Sequence, residues 1–217
     1  MMHNYILAIV LNYSIVITAI AVIMKFKTML NSYWPFMGII FLGLINETIS
    51  LVSIYSAGTN AVNGNIYVLL EFMLIIYQFF KWDSISKRTF FILAITGIII
   101  WVTDNFILSS ISQNNSLFRT IYSLIIVFLS INKLNMLIIY ENGYLLKNAT
   151  FIICITFLVY YGCKAFVEAF NALHLGLNHN ILGELWIIMY FVNAVANILY
   201  AIAILCIPRK QKFILRY

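Results

Sequence analysis

Charge is scarce in this sequence: the four charged residue types make up 9% of its 217 residues, whereas they make up about a quarter of a soluble domain. Apolar types make up 64%, and long apolar runs recur from one end to the other. This composition predicts a polytopic membrane protein and leaves no room for a soluble catalytic or nucleic-acid-binding domain. We attribute the net charge of +6 to loops that set orientation, not to nucleic-acid binding.

Proline and cysteine are also scarce, with two and three copies. Few proline or glycine residues interrupt the apolar runs, so the broken helices of many transporters are not indicated. Cys154, Cys163 and Cys206 lie inside apolar segments, are odd in number and have no metal-ligand spacing. This pattern is typical of small buried side chains.

Motifs of the common enzyme classes are absent. The sequence has no nucleophile elbow, Walker A sequence, dinucleotide fingerprint or H-E-x-x-H. His174 and His179 lie in one short connection, at a separation that is not a zinc signature, and we expect them to be exposed loop residues. We therefore predict no metal site and no cofactor, and we favour a protein that is not an enzyme.

Seven segments are long and apolar enough for a helix that crosses the hydrocarbon core, which needs about 20 residues. They cover residues 4–24, 34–55, 66–81, 89–109, 117–139, 149–170 and 183–207. We predict an all-α fold with a single seven-helix transmembrane domain over residues 1–207 and a basic tail over 208–217. The first segment lacks a basic leader region and a cleavage site, so we expect it to be retained as a span.

The basic residues assign each connection to a side of the membrane. Ten of the thirteen lie in the first, third and fifth connections or in the tail, and the second, fourth and sixth connections contain none. Positively charged residues favour the cytoplasmic side. We therefore predict an extracytoplasmic N-terminus and a cytoplasmic C-terminus.

Most charged side chains within the predicted spans fall in the extracytoplasmic half of the membrane, as judged from a helical rise of about 1.5 Å per residue, whereas Lys133 lies toward the cytoplasmic side. Seven of them, from six spans, lie there: Glu47, Glu71, Asp104, Arg119, Lys164, Glu168 and Glu184. A charge in lipid is costly and almost always faces the interior of a bundle. We therefore predict a polar centre in this half.

Helical spacing brings further polar residues to this centre. Tyr67 lies four residues before Glu71 and shares its face. Asn46 stands beside Glu47 on the second span. Glu47 and Glu71 are deep and have no cation near them in the sequence, so we favour a ligand-binding role for this pair.

Structural roles stay open for other members of the set. Lys164 and Glu168 are four residues apart and can form a structural ion pair. Asp104 and Glu184 can touch water or cap helix ends. The last span carries a polar stripe that can hold neighbouring helices together, formed by Tyr190, Asn193, Asn197 and Tyr200.

Three short segments, "GLINETIS", "NIYVLLEFML" and "NAVANILYAIAIL", resemble an uncharacterised bacterial family of small seven-helix inner-membrane proteins. Members of this kind resemble the membrane sensor parts associated with histidine kinases. The resemblance implies a location in the bacterial inner membrane. It also implies signature polar positions at Asn46, Glu47, Asn65, Tyr67, Glu71, Asn193, Asn197 and Tyr200.

The leading functional hypothesis is a receptor-like or sensory subunit that binds a small or lipidic ligand and signals to a cytoplasmic or membrane partner. The predicted site contains Asn46, Glu47, Tyr67, Glu71, Asp104, Arg119, Lys164, Glu168, Asn193, Asn197 and Tyr200. Three alternatives stay open: a transporter of small molecules or ions, an intramembrane lipid-modifying enzyme, and a structural subunit of a membrane complex. Membrane lipids are expected contacts in every case, and nucleic acid in none.

Overall fold

The structure is a computed structural model that describes residues 2–140, 144–172 and 179–208. It contains eight α-helices: α1 (Met2–Asn12), α2 (Ile15–Lys25), α3 (Trp34–Ala57), α4 (Ala61–Lys81), α5 (Lys87–Val102), α6 (Ser116–Tyr140), α7 (Ala149–Ala172) and α8 (His179–Cys206). Short 3₁₀ turns precede α3 and α7, and a π-helical segment, Thr103–Leu108, extends α5. The described residues thus confirm an all-helical fold with seven helical segments long and apolar enough to cross a membrane.

The first of these segments, Leu7–Lys25, is built from two helices instead of the single one predicted. A turn at Tyr13 and Ser14 separates α1 from α2. Two asparagines of α8 explain the turn, because Asn193 donates to Asn12 and Asn197 donates to Ser14 at 2.8 Å. These hydrogen bonds satisfy polar groups that lipid could not satisfy.

Local signals set several helix ends. Pro35 lies in the first turn of α3, where its missing N–H costs nothing. Gly58 ends α3 with φ of +72°, a left-handed conformation that glycine adopts without penalty. Ser86 caps α5 by accepting the Thr89 N–H at 3.1 Å.

Six helices form a closed ring in the order α2, α3, α4, α6, α7 and α8, and α1 packs against α8. Helix α5 lies outside the ring, against α4 and α6. Gly97 allows this approach because a Cβ there would overlap the ring of Phe72. Most of the remaining surface of α5 is exposed and apolar.

Aromatic side chains fill the centre of the ring. Phe36, Phe72, Tyr122, Phe157 and Tyr161 are each at most 2% exposed. Their rings meet edge to face, for example Phe36 on Phe157 at 6.3 Å and Tyr122 on Tyr161 at 5.9 Å. Such aromatic pairs each add about 1 kcal/mol beyond the area they bury.

Candidate functional site

A cavity of about 400 Å³ opens at one end of the bundle. We call this the non-basic end, because Asn60 of the second connection and Asn114 of the fourth line the cavity, and neither connection contains a lysine or an arginine. Its walls come from α1, the C-terminal halves of α3 and α7, and the N-terminal halves of α4, α6 and α8. Seven of the eleven predicted site residues line it: Asn46, Glu47, Tyr67, Arg119, Lys164, Glu168 and Asn193.

Glu71 lies behind the cavity wall and is 3% exposed. Its two carboxylate oxygens accept hydrogen bonds from the hydroxyls of Tyr67, at 2.6 Å, and Tyr122, at 2.8 Å. Its Oε2 lies 3.5 Å from the ammonium of Lys164. The buried carboxylate of Glu71 therefore has its hydrogen-bond and charge partners within the bundle. It holds Tyr67 and Lys164, two residues of the cavity lining, in place.

Lys164 is held by Glu71 and by three aromatic rings. Its Nζ donates to the Tyr122 hydroxyl and lies 5.1 Å from the centre of that ring. It also lies 5.6 Å from the rings of Tyr160 and Tyr161. The negative faces of these rings replace part of the water that the ammonium has lost.

The predicted pairing of Lys164 with Glu168 is wrong. Glu168 instead pairs with Arg119 at 3.5 Å and accepts a hydrogen bond from Ser116 at 2.7 Å. The reason is that Lys164 meets Glu71 of α4 and Glu168 meets Arg119 of α6. The attraction between opposite charges is stronger at a buried helix interface than on an exposed helix surface. Sequence spacing registers only neighbours on the same helix.

Arg119 joins three elements of the site. One terminal nitrogen donates to Asn65 Oδ1 at 3.1 Å, and the other pairs with Glu168. Gly64 leaves room for the guanidinium, since a Cβ at this position would lie 3.1 Å from Arg119 Nη2. Asn65 also donates to the carbonyls of Ile111 and Gln113, so it ties the fourth connection to α4.

Glu47 differs from the other two acids around the cavity. Its carboxylate lies near the side-chain amide of Asn12, which in turn accepts a hydrogen bond from Asn193 at 3.1 Å. Among the side chains that the structure describes, those of residues 7–140, 144–172 and 183–208, the ion pairs are Arg119–Glu168 and Lys164–Glu71, and neither includes Glu47. Glu47 is therefore the carboxylate of this wall that has no basic partner in the described part of the chain.

Four predicted site residues lie outside the cavity lining. Besides Glu71, they are Asp104, Asn197 and Tyr200. Asp104 accepts the Phe118 N–H at 2.8 Å and so caps the start of α6, one of the roles left open. Asn197 bonds to Ser14, and Tyr200 packs on Phe36 at 5.4 Å, which fits helix-to-helix contact.

Two residues that organise the site were not predicted. Asn12 is an isolated amide within an apolar run, which is a signal for an interhelical hydrogen bond in a predicted span. Tyr122 lies one helical turn after Arg119, but its link to Glu71 and Lys164 depends on which helices are neighbours. Short connections suggest neighbours without specifying the ring order.

The remaining chemistry-bearing residues fall elsewhere. His174 lies outside the described residues, and so does the side chain of His179. No group of three metal-ligating side chains occurs in the part of the chain that the structure describes. Cys154 is buried and Cys163 and Cys206 are half-buried, all as free thiols.

Comparisons of this chain with protein-family models, with curated proteins and with solved structures find no match. The resemblance to a bacterial seven-helix family therefore stays a prediction.

Proposed function

We propose that this protein is a receptor-like or sensory membrane subunit that binds a small or lipidic ligand in the cavity at the non-basic end. One observation carries the proposal: the cavity has charged walls in which Glu47 lacks a basic partner among the described residues. A half-buried carboxylate in an apolar bundle is costly unless something compensates it. A bound ligand would provide that compensation.

The membrane setting rests on the seven apolar helical segments and on the charge pattern. Each segment is long and apolar enough to cross a membrane, which suggests an integral membrane protein. The basic residues of alternate connections favour an outside N-terminus and a cytoplasmic C-terminus. In that orientation the cavity faces the extracytoplasmic side, and the resemblance favours the bacterial inner membrane.

A receptor is favoured over a transporter by what lies beneath the cavity. Buried aromatic rings fill the centre of the bundle between the cavity and the opposite, basic end. Asn132 and Asn135, which would have to line an exit path, are exposed on the outside of α6. Lys133 beside them donates to the Trp82 carbonyl at 2.8 Å, at the end of α4.

Signalling would pass through the contacts that the ligand alters. Glu47 on α3 lies near Asn12 on α1, and Asn12 accepts a hydrogen bond from Asn193 on α8. A ligand that engages Glu47 would change the strength of this link between three helices. Such a ligand shifts helix packing only by its difference in affinity for the two arrangements. A cytoplasmic or membrane partner would read the shift, with the basic tail as one candidate contact.

Native mass spectrometry of gently solubilised protein tests the proposal. The variant Ala8→Trp places a large ring in the cavity wall, and Val10→Trp places the same ring on the exposed face of the same helix. We expect a bound small molecule or lipid in the wild type and in Val10→Trp, and its loss in Ala8→Trp. A second protein bound with no ligand would instead favour the structural subunit of a complex.

A further inference from the structure

We propose that the ligand is an organic ammonium ion with an apolar or aromatic substituent, and that Glu47 is its counter-ion. This inference rests on the proposed function, because it names the chemical class that the same cavity binds.

The charge balance of the site leaves room for one positive charge. Two acids, Glu71 and Glu168, are matched by Lys164 and Arg119 at 3.5 Å each. Glu47 has the Asn12 amide near it but pairs with no cation among the side chains that the structure describes. The cavity wall and the groups directly behind it thus carry a formal charge of about −1, since three carboxylates face two cations.

The surroundings of Glu47 suit an ammonium group. The side chains of Tyr67, Tyr160 and Tyr190 line the same cavity as Glu47. Trp186 also lines the cavity. Aromatic faces around one carboxylate are the usual surroundings of a bound ammonium, because the ring quadrupoles attract the cation after it loses water.

The apolar part of the cavity lining indicates the chemistry of the substituent on the ammonium group. Apolar side chains complete the lining: Ile9, Leu51, Ile54 and Met189. These side chains lie beside the polar ones of the same cavity, and apolar walls of this kind contact the hydrocarbon part of a small organic ligand. The volume of about 400 Å³ accommodates an amine that carries a ring or a short chain.

Other ligand charges fit less well. An anion would compete with Glu71 for Lys164 and with Glu168 for Arg119, and each of these cations already has several partners. A bare divalent metal ion needs several carboxylate or carbonyl oxygens in one place. The described residues offer no cluster of three metal-ligating side chains.

Isothermal titration with three probes of one skeleton tests the charge directly. Phenethylammonium is positive, 2-phenylethanol is neutral and phenylacetate is negative. We expect the affinity for phenethylammonium to exceed the affinity for either other probe by about tenfold or more. The reason is that only phenethylammonium can form a buried charge pair with Glu47. Equal binding of the three, preference for either other probe, or no binding of phenethylammonium would overturn the inference.

Three variants locate the counter-ion. Glu47→Gln keeps the size and removes the charge, and we expect it to weaken phenethylammonium binding by about tenfold or more. Glu47→Asp keeps the charge and is expected to restore most of the affinity. Glu184→Gln makes the same chemical change on an exposed residue of α8 and is expected to bind like the wild type. Unchanged binding by Glu47→Gln would assign the counter-ion elsewhere and overturn the inference.

The two proposals fail in different ways. If extraction of the purified protein releases an anionic or neutral molecule that Ala8→Trp excludes, the cavity binds a ligand and only the ammonium inference is wrong. If Ala8→Trp and Val10→Trp retain the same bound molecules, the proposed ligand cavity is itself wrong.

Discussion

The buried charged side chains of this bundle have partners on other helices. Glu71 and Lys164 are 93 positions apart in sequence, yet their charged groups lie 3.5 Å apart in the core. Two tyrosine hydroxyls complete the coordination of Glu71. An ion pair of this kind gives modest net stability against an apolar replacement, but loss of one member leaves an uncompensated charge.

This asymmetry makes a prediction for the pair. Glu71→Gln and Lys164→Met should each lower the free energy of unfolding by about 2–4 kcal/mol, because each leaves one buried partner unmatched. The double variant should lose less than the sum of the two single losses. Thermal unfolding in detergent provides the measurement, and additive losses would show that the two side chains do not act as a pair.

The hydroxyl of Tyr122 makes a second prediction at this scale. It bonds to both Glu71 and Lys164, so Tyr122→Phe should destabilise the protein by about 1–3 kcal/mol through the groups left unsatisfied. Tyr55→Phe removes a hydroxyl from a side chain that is 95% exposed and is the matched control. The same unfolding assay applies, and equal stability of the two variants would contradict the assigned role of Tyr122.

Residue depth could be predicted from the sequence, whereas residue partners could not. Counting along each helix placed Glu47, Lys164 and Arg119 in the same half of the bundle, and all three line one cavity. The pairing of Lys164 with Glu168 failed because the local spacing rule takes no account of facing helices. Partners on different helices depend on which helices are neighbours and on how each helix is rotated about its axis. No local pattern in a single sequence gives either property.

At the scale of helices, small residues determine how closely neighbours approach. Gly97 is the buried residue of α5, and it brings α5 against Phe72 of α4. Gly162 of α7, by contrast, has open space where a Cβ would lie. The two glycines are otherwise alike, since both lie within long apolar helices.

This contrast predicts opposite effects of one substitution. Gly97→Ala should destabilise by about 1–3 kcal/mol, because the added methyl overlaps a packed ring. Gly162→Ala should be neutral or stabilise by up to about 1 kcal/mol, because alanine favours the helix. Unfolding measurements on both variants test the packing, and a stabilising Gly97→Ala would mean that α5 is not held against α4.

The predicted and observed helix boundaries agree closely where hydropathy alone determines them. The seven predicted segments correspond to the seven apolar helical segments that are observed. The break in the first segment was not predicted, because Asn12 and Ser14 acquire partners only when α8 packs beside them. The π-helical end of α5, Thr103–Leu108, likewise includes Asp104, which caps a different helix.

At the scale of the whole molecule, the basic connections and the cavity lie at opposite ends of the bundle. The cavity lies at the end whose connections lack basic residues. If positive residues stay in the cytoplasm, the cavity opens to the outside of the cell. A ligand would then reach the site without crossing the membrane, as a sensory subunit requires.

Cysteine labelling tests this orientation. In a variant without the three native cysteines, a new cysteine at Thr59 lies in the second connection and one at Lys87 lies at the end of the third. A thiol reagent that cannot cross membranes should label Thr59→Cys in intact cells. It should label Lys87→Cys only after the membrane is permeabilised. The reverse pattern would place the cavity on the cytoplasmic side.

The most direct test of the account is the mass of what the purified protein carries with and without the charge of Glu47. Native mass spectrometry should detect one bound small cationic molecule in the wild type and in Glu184→Gln, and should find it lost or strongly depleted in Glu47→Gln. That result would identify the cavity as a binding site and Glu47 as its counter-ion. The same bound mass in all three proteins, or no bound molecule in any, would contradict the central claim.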